Sequence, residues 1–203
     1  VPHLSDNSTA SSREKLIQAT INLMSSRGFE AMGINSILEA ADVTKSNFYY
    51  HFKSKEELCL AALDAMAEYF FQQVLEPILN DKKTSPKKRL EKFFRMMHEK
   101  VNSECCERGC PFVNLATETS DFIPAFREKI DAYFRRYRRT LSDLYKEGVE
   151  KGEFRADISP DMAALSILSG VNGTFVLAKA QKDARIVKDS TDTLLALFSV
   201  SKK

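Results

Sequence analysis

The sequence predicts an all-α protein in which a three-helix N-terminal domain precedes a larger helical one, about nine helices in total. Three observations carry this. Apolar residues recur at helical spacing in most segments. Glycine (7) and proline (6) are sparse among 203 residues, and the 43% hydrophobic content is ample for a core. Helix-start signals recur along the chain: Ser11 with Glu14, Ser54 with Glu57, Ser85 before Pro86 and Ser159 before Pro160.

Residues 1–10 read as a disordered arm. The first helix starts at Ser11, buries Leu16, Ala19, Thr20, Leu23 and Met24 on one stripe, and stops at Gly28, where Phe29 folds back on its last turn. A second, short helix carries Ile34, Ile37, Leu38 and Ala41 on one face. Asp42 and Val43 break that register, and Thr44 caps a third helix from Lys45 to Phe52. These helices fill a domain of residues 11–54, and residues 55–203 form the second. A long helix is expected from Lys55 to about Glu76, ended by Pro77. A polar linker over Asn80–Pro86 leads to a helix reaching about Glu104, which buries Leu90, Phe93, Phe94, Met97 and Val101. Further helices are expected over Pro111–Ser120, Pro124–Lys151, Pro160–Lys182 and Asp189–Val200.

Composition narrows the function classes. No run approaches the roughly 18 uninterrupted apolar residues of a membrane span, and the polar stretch Val1–Ser12 lacks the apolar centre of a signal peptide. A cytoplasmic location is the expectation, and there four cysteines argue against a disulfide framework. Only three histidines occur. No serine or cysteine has a readable base partner, and neither a phosphate-binding glycine loop nor a metal-ligand motif is legible. No catalytic residue, metal or cofactor is therefore expected. The net charge of +2 is uninformative, but Val43–Lys55 holds three lysines and no acid. A DNA reader can be locally basic while near neutral overall.

The third helix packs Lys45, Asn47, Tyr49, Tyr50 and His51 into about two turns. Such side chains donate hydrogen bonds, stack or carry positive charge, as a helix laid into a DNA major groove must. The competing reading is a helical hairpin inside a bundle that meets no nucleic acid.

The run Thr44-Lys45-Ser46-Asn47-Phe48-Tyr49-Tyr50-His51-Phe52-Lys53-Ser54-Lys55-Glu56-Glu57-Leu58 resembles the helix-turn-helix signature of the TetR/AcrR family of bacterial repressors. The likeness covers Ser11–Leu58 and departs at Gly33, Asp42 and Ser46, where the family favours Thr or Ser, Gly and Gly. It implies a dimer that binds a palindromic operator and releases it when a small-molecule effector reshapes the second domain. An adaptor or ligand-binding protein that no longer reads DNA is the alternative. Carried over by position, the resemblance puts Lys45, Ser46, Asn47 and Tyr49 at base edges. It puts Tyr50, His51 and Lys55 at phosphates, and Thr44 and Asn35 beside the groove. Phe48 and Phe52 are expected to pack inward.

The resemblance also makes the last two helices the dimer interface, where Ser166, Ser169, Gly170 and Gly173 sit among Leu165, Leu168 and Val176. It makes the middle of the chain an effector pocket, with Phe93, Met97, Phe112, Leu115, Phe126, Tyr133, Phe134 and Phe175 as candidate lining, against the plainer reading of core filling. Cys105, Cys106 and Cys110 cluster near Arg108, and Gly109–Glu118 resembles a segment of electrophile-sensing family members. Cys106 and Cys110 are candidate thiol sensors, because a cysteine at a helix N-terminus beside a cation has a lowered pKa. Small buried residues in a helix corner are the alternative. Arg135, Arg136, Arg138 and Arg139 read as a solvated face paired to acids such as Asp131 and Asp143, or as a seat for an anionic ligand.

Overall fold

The computed structural model describes residues 10–107 and 109–200. The arm expected over residues 1–10 lies, except for Ala10, outside them. The helices are α1 (Ser12–Arg27), α2 (Ile34–Ala41), α3 (Lys45–His51), α4 (Lys55–Tyr69), α5 (Glu76–Leu79), α6 (Pro86–Ser103), α7 (Pro111–Thr119), α8 (Pro124–Glu150), α9 (Pro160–Gln181) and α10 (Arg185–Phe198). A π-helical segment, Phe70–Leu75, joins α4 to α5, and counting that run as one rod gives nine helices among the described residues.

The chain divides into two compact units, one of residues up to Phe70 with Pro111–Asp131, the other of Phe71–Cys110 with Ala132 onward. This division differs from a boundary at residue 54. Helix α4 packs on α1 and so belongs with the first three helices, and α7 joins them.

In the first unit, local chemistry sets each helix end. Ser11 Oγ accepts from the Glu14 amide while Glu14 Oε2 accepts from the Ser11 amide at 2.8 Å, a reciprocal cap for α1. Gly28 ends α1 at φ 80°, where an L side chain is strained. Asp42 turns the chain between α2 and α3 in the left-handed conformation, φ 52°, which a short polar side chain tolerates. Thr44 Oγ1 caps α3 by accepting from Asn47 N. Ser54 caps α4, and Glu57 reaches one residue further back than a capping box requires, to the Lys53 amide at 2.7 Å. Leu16, Ile21, Met32, Ile37, Phe48, Leu58 and Ala62 are buried.

The helix expected to run unbroken to Glu76 instead loses its α register at Phe70 and continues past Pro77 to Leu79. Proline has no amide to donate, but it occupies the opening turn of α5, where no such donor is needed. The wider π turns precede it, and such segments often mark functional joints.

In the second unit α10 packs on α9 and α6. It begins at Arg185, four residues before the expected start, because the Asp183 carboxylate receives the Arg185 amide at 2.9 Å. Its far end is tied to the α8–α9 connection by Arg155 N to Phe198 O (2.9 Å) and Val200 N to Glu153 O (3.0 Å). Beneath that tie the Tyr145 and Phe154 rings stack at 5.0 Å, and Phe154 lies directly over Gly148. A Cβ at Gly148 would overlap the Phe154 ring. Gly148→Ala should therefore destabilise by about 1–3 kcal/mol despite its gain in helix propensity. Thermal unfolding would read this as a fall of several degrees in Tm.

Helix α9 is long and apolar enough by composition to cross a membrane (mean hydropathy 1.4), with 39% of that stretch buried. Its inner side, with Ala163, Ala164, Ile167, Leu168, Val171 and Ala178, is covered, whereas Met162, Leu165, Val176 and Leu177 are exposed, as are Leu197 on α10 and Val200 just beyond it. The small residues divide by role. A Cβ at Gly170 would press on Leu194 Cδ1 at 2.8 Å, so Gly170 serves the α9–α10 contact, while Gly173 faces open space.

Candidate nucleic-acid interface

Helix α3 is held from below by Phe48 and Phe52, both buried, with ring centroids 6.2 Å apart. That fixes what faces outward. Lys45 and Ser46 are exposed, Tyr50 is 82% exposed and Tyr49 is 50% exposed with its ring edge-on to Phe48 at 5.0 Å. Ser46 Oγ lies 3.1 Å from Thr44 Oγ1. Asn35 is exposed in the first turn of α2. His51 is half-buried, its ring edge-on to Tyr50 at 4.9 Å. The outward group thus combines an ammonium, two phenols, an amide and hydroxyls, a set able to donate to phosphate oxygens and to base edges alike.

Two expected contact residues are turned to the scaffold instead. Asn47 Nδ2 donates to Ser12 Oγ at 2.9 Å, which ties α3 to the first turn of α1. Lys55 Nζ donates to the Phe29 and Met32 carbonyls at 3.1 and 3.2 Å and lies 3.9 Å over the Phe29 ring. Both are half-buried. Lys55 supplies a donor to two carbonyls of the α1–α2 turn, while Asn47 bridges α3 to α1 through the Ser12 hydroxyl. Thr44 is likewise committed to its cap.

The eight candidate pocket residues are divided between the two units. Phe112, Leu115 and Phe126 belong to the first unit, and Phe93, Met97, Tyr133, Phe134 and Phe175 to the second. Phe93, Met97, Phe112, Leu115, Phe126 and Tyr133 are buried. A surface cleft of about 240 Å³ lies elsewhere, between α6 and α10, lined by Phe94, Arg95, His98, Lys188 and Asp192 among others.

The thiols differ sharply. Cys59 is buried in α4, and burial pushes its thiol up to about 12, which makes it inert. Cys105 and Cys106 are consecutive left-handed residues, φ 50° and 56°; Cys105 is exposed but Cys106 is only 4% exposed, so the expected sensor is the covered one of the pair. Cys110 is half-buried immediately before α7. The Tyr133 and Tyr137 hydroxyls are raised well above their ordinary range, by burial first and then by electrostatic interaction with Cys110. Arg108, the expected cation, lies outside the described residues.

The arginine run on α8 is built into the second unit. Arg136 pairs with Glu76 at 2.6 Å and covers the Phe71 ring at 4.0 Å, and Arg138 pairs with Asp161 at 3.2 Å. These two partners lie on α5 and α9.

Family models match both parts of the chain. The model for bacterial regulatory proteins of the tetR family matches residues 16–62, which contain α2 and α3, and the tetracyclin repressor-like C-terminal domain model matches residues 86–194. The transcriptional regulator AcuR of Cereibacter sphaeroides is 30% identical over 168 residues, 83% of this chain and 76% of that protein. The transcriptional repressor NemR of Escherichia coli is 28% identical over 138 residues, 68% of this chain and 69% of that one. The crystal structure of its reduced form superposes with a TM-score of 0.83 at 23% identity, covering 93% of this chain and 97% of that one. A regulatory protein TetR from Rhodobacter sphaeroides superposes with a TM-score of 0.86 at 28% identity, covering 93% of this chain and all of that one.

Proposed function

The chain belongs to the TetR family of bacterial regulatory proteins, and from this we propose that it is a dimeric repressor that grips a palindromic operator through α3 and lets go when an effector reaches its second unit. The observation that carries this is the outward face of α3, where Lys45, Ser46, Tyr49 and Tyr50 are exposed above two buried phenylalanines. In this reading Lys45, Ser46 and Tyr49 meet base edges. Tyr50, His51 and Asn35 meet backbone, and Asn47 and Lys55 hold the helix in place from behind. NemR, a relative named as a repressor, supports the sign of regulation.

Self-association follows from the uncovered apolar stripe. Met162, Leu165, Val176 and Leu177 on α9, with Leu197 on α10 and Val200 after it, make a surface that water disfavours, and Gly173 leaves room for a second helix to approach. A two-fold pair of such faces gives each dimer two copies of α3, and operator symmetry mirrors protein symmetry. A DNA-reading dimer works where the chromosome is, in the cytoplasm. The effector is a small molecule received among the apolar residues of the chain's middle, with half-buried Cys110 as the thiol that reacts with an electrophile.

Selection of duplexes from a random DNA pool by the purified protein tests this reading. Enrichment of a two-fold symmetric sequence is expected. Absence of any enriched sequence would favour a helical ligand-binding or adaptor protein.

A further inference from the structure

The α1–α2 turn is held from two sides by opposite charges. Glu118, at the end of α7, accepts from two successive amides of that turn, Phe29 N to Oε2 at 3.0 Å and Glu30 N to Oε1 at 2.7 Å. Each carboxylate oxygen takes one donor. Lys55, at the start of α4, takes the carbonyls of Phe29 and Met32 in the same turn. Gly28 makes the carboxylate's approach possible, since a Cβ there would lie 2.7 Å from Glu118 Oε2. The Phe29 ring is pinned as well, with Lys55 Nζ over its face and the Phe126 ring edge-on at 5.0 Å. The two residues bonded by Glu118 are 88 and 89 positions away in sequence. Helix α7 begins immediately after Cys110, so one nine-residue helix runs from that thiol to the turn that carries α2 and α3.

We propose that Glu118 is a positioning residue for DNA reading, the group through which a displacement of α7 reaches α3. The proposal rests on the reading of α3 as the recognition helix. Charge-assisted hydrogen bonds to a pair of amides weaken steeply with distance and angle, so a shift of about 1 Å in α7 releases the turn rather than stretching it. Once Glu118 lets go, the two amides lose their acceptor while Lys55 still holds the carbonyls, and α2 with α3 is free to adopt a second orientation. Such a discrete change is what a switch needs.

The test requires neither operator nor effector. In the full chain carrying Cys105→Ser, Cys110 is alkylated with iodoacetamide, peptide masses confirm the site, and amide hydrogen exchange is followed at Phe29, Glu30 and through α3. In this parent, alkylation should raise exchange at Phe29 and Glu30 by roughly tenfold and alter it in α3. In Glu118→Gln, whose side-chain amide opposes a donor to one of the two amides, Phe29 and Glu30 should exchange fast from the outset and α3 should ignore the alkylation. An α3 response that persists in Glu118→Gln, even with a lowered Tm, would mean a merely structural role and overturn the proposal. So would a parent whose Phe29 and Glu30 amides are indifferent to alkylation. Because no DNA enters, failure here is separate from failure to select an operator.

Discussion

Tyr49→Ala is expected to weaken binding to a selected operator by at least roughly 30-fold, about 2 kcal/mol, because each base-reading side chain contributes about 1–3 kcal/mol and a two-fold dimer loses it twice. The melting temperature should not move appreciably. Tyr49 is half exposed, and its contact with the scaffold is an edge of Phe48 that remains buried without it. Tyr50→Ala serves as the contrast. Tyr50, at 82% exposed, stands farther out than Tyr49 and is assigned to backbone. Its loss should weaken selected and scrambled duplexes to a similar degree, whereas loss of Tyr49 should narrow the difference between them. Fluorescence anisotropy with both duplexes separates the two roles.

The second large effect concerns stability. Arg89 is 1% exposed inside the second unit. Its Nη1 donates to the Leu79 carbonyl at 2.6 Å, and its Nη2 lies 2.5 Å from Glu147 Oε1, a close ionic contact rather than an aligned hydrogen bond. Glu147 also receives Lys82 and Lys151 at the surface, at 2.5 and 2.8 Å. The two ends of the pair are therefore unequal. Removing Glu147 strands a guanidinium where water cannot reach it, and Glu147→Ala should cost about 3–5 kcal/mol. Removing Arg89 leaves a carboxylate that keeps two lysines and some solvent, so Arg89→Met should cost less, on the order of 1–2 kcal/mol. Urea unfolding at one fixed protein concentration measures both. The contact with Arg89 chiefly, against the opposing effect of burial, and then Lys151 and Lys82 hold the Glu147 carboxyl well below the usual carboxylate range. A lowered folded pKa contributes stability that is present above the unfolded value of about 4.3 and is lost only as pH falls through the folded value. The gap between the native chain and Glu147→Ala should accordingly be constant near neutrality and close only in strong acid.

Why some of this could be read from residue types, and some could not, is visible on α3 itself. At about 100° per residue, a helix anchored by Phe48 turns Ser46 and Tyr50 farthest outward and leaves Tyr49 and Asn47 on opposite flanks. The pattern separates inward from outward residues, and Phe48 and Phe52 pack as their character demands. It cannot say which flank meets α1. That depends on tertiary placement, and Asn47 meets Ser12 there. Lys55 follows the same logic: its charge invites a phosphate contact, but the carbonyls it caps belong to a turn more than twenty residues away in sequence. Helix ends were legible because Ser11, Thr44, Ser54, Ser85 and Ser159 act on neighbours three residues on. Glu118 was not, since nothing in its surroundings in sequence announces the amides of Phe29 and Glu30. The π turns before Pro77 escaped for a related reason, because proline forbids a hydrogen bond without specifying how the preceding turns adjust.

The most direct measurement of the central claim is the affinity of the intact protein for a selected palindromic duplex across a series of salt concentrations, beside a scrambled duplex of equal length. If α3 reads DNA from a dimer, two protomers bind each duplex, the logarithm of the affinity falls steeply with the logarithm of salt, with a slope set by roughly 6–10 phosphate contacts, and the scrambled duplex binds roughly a thousandfold more weakly or worse. Equal affinity for both duplexes, or a slope near zero, would contradict it.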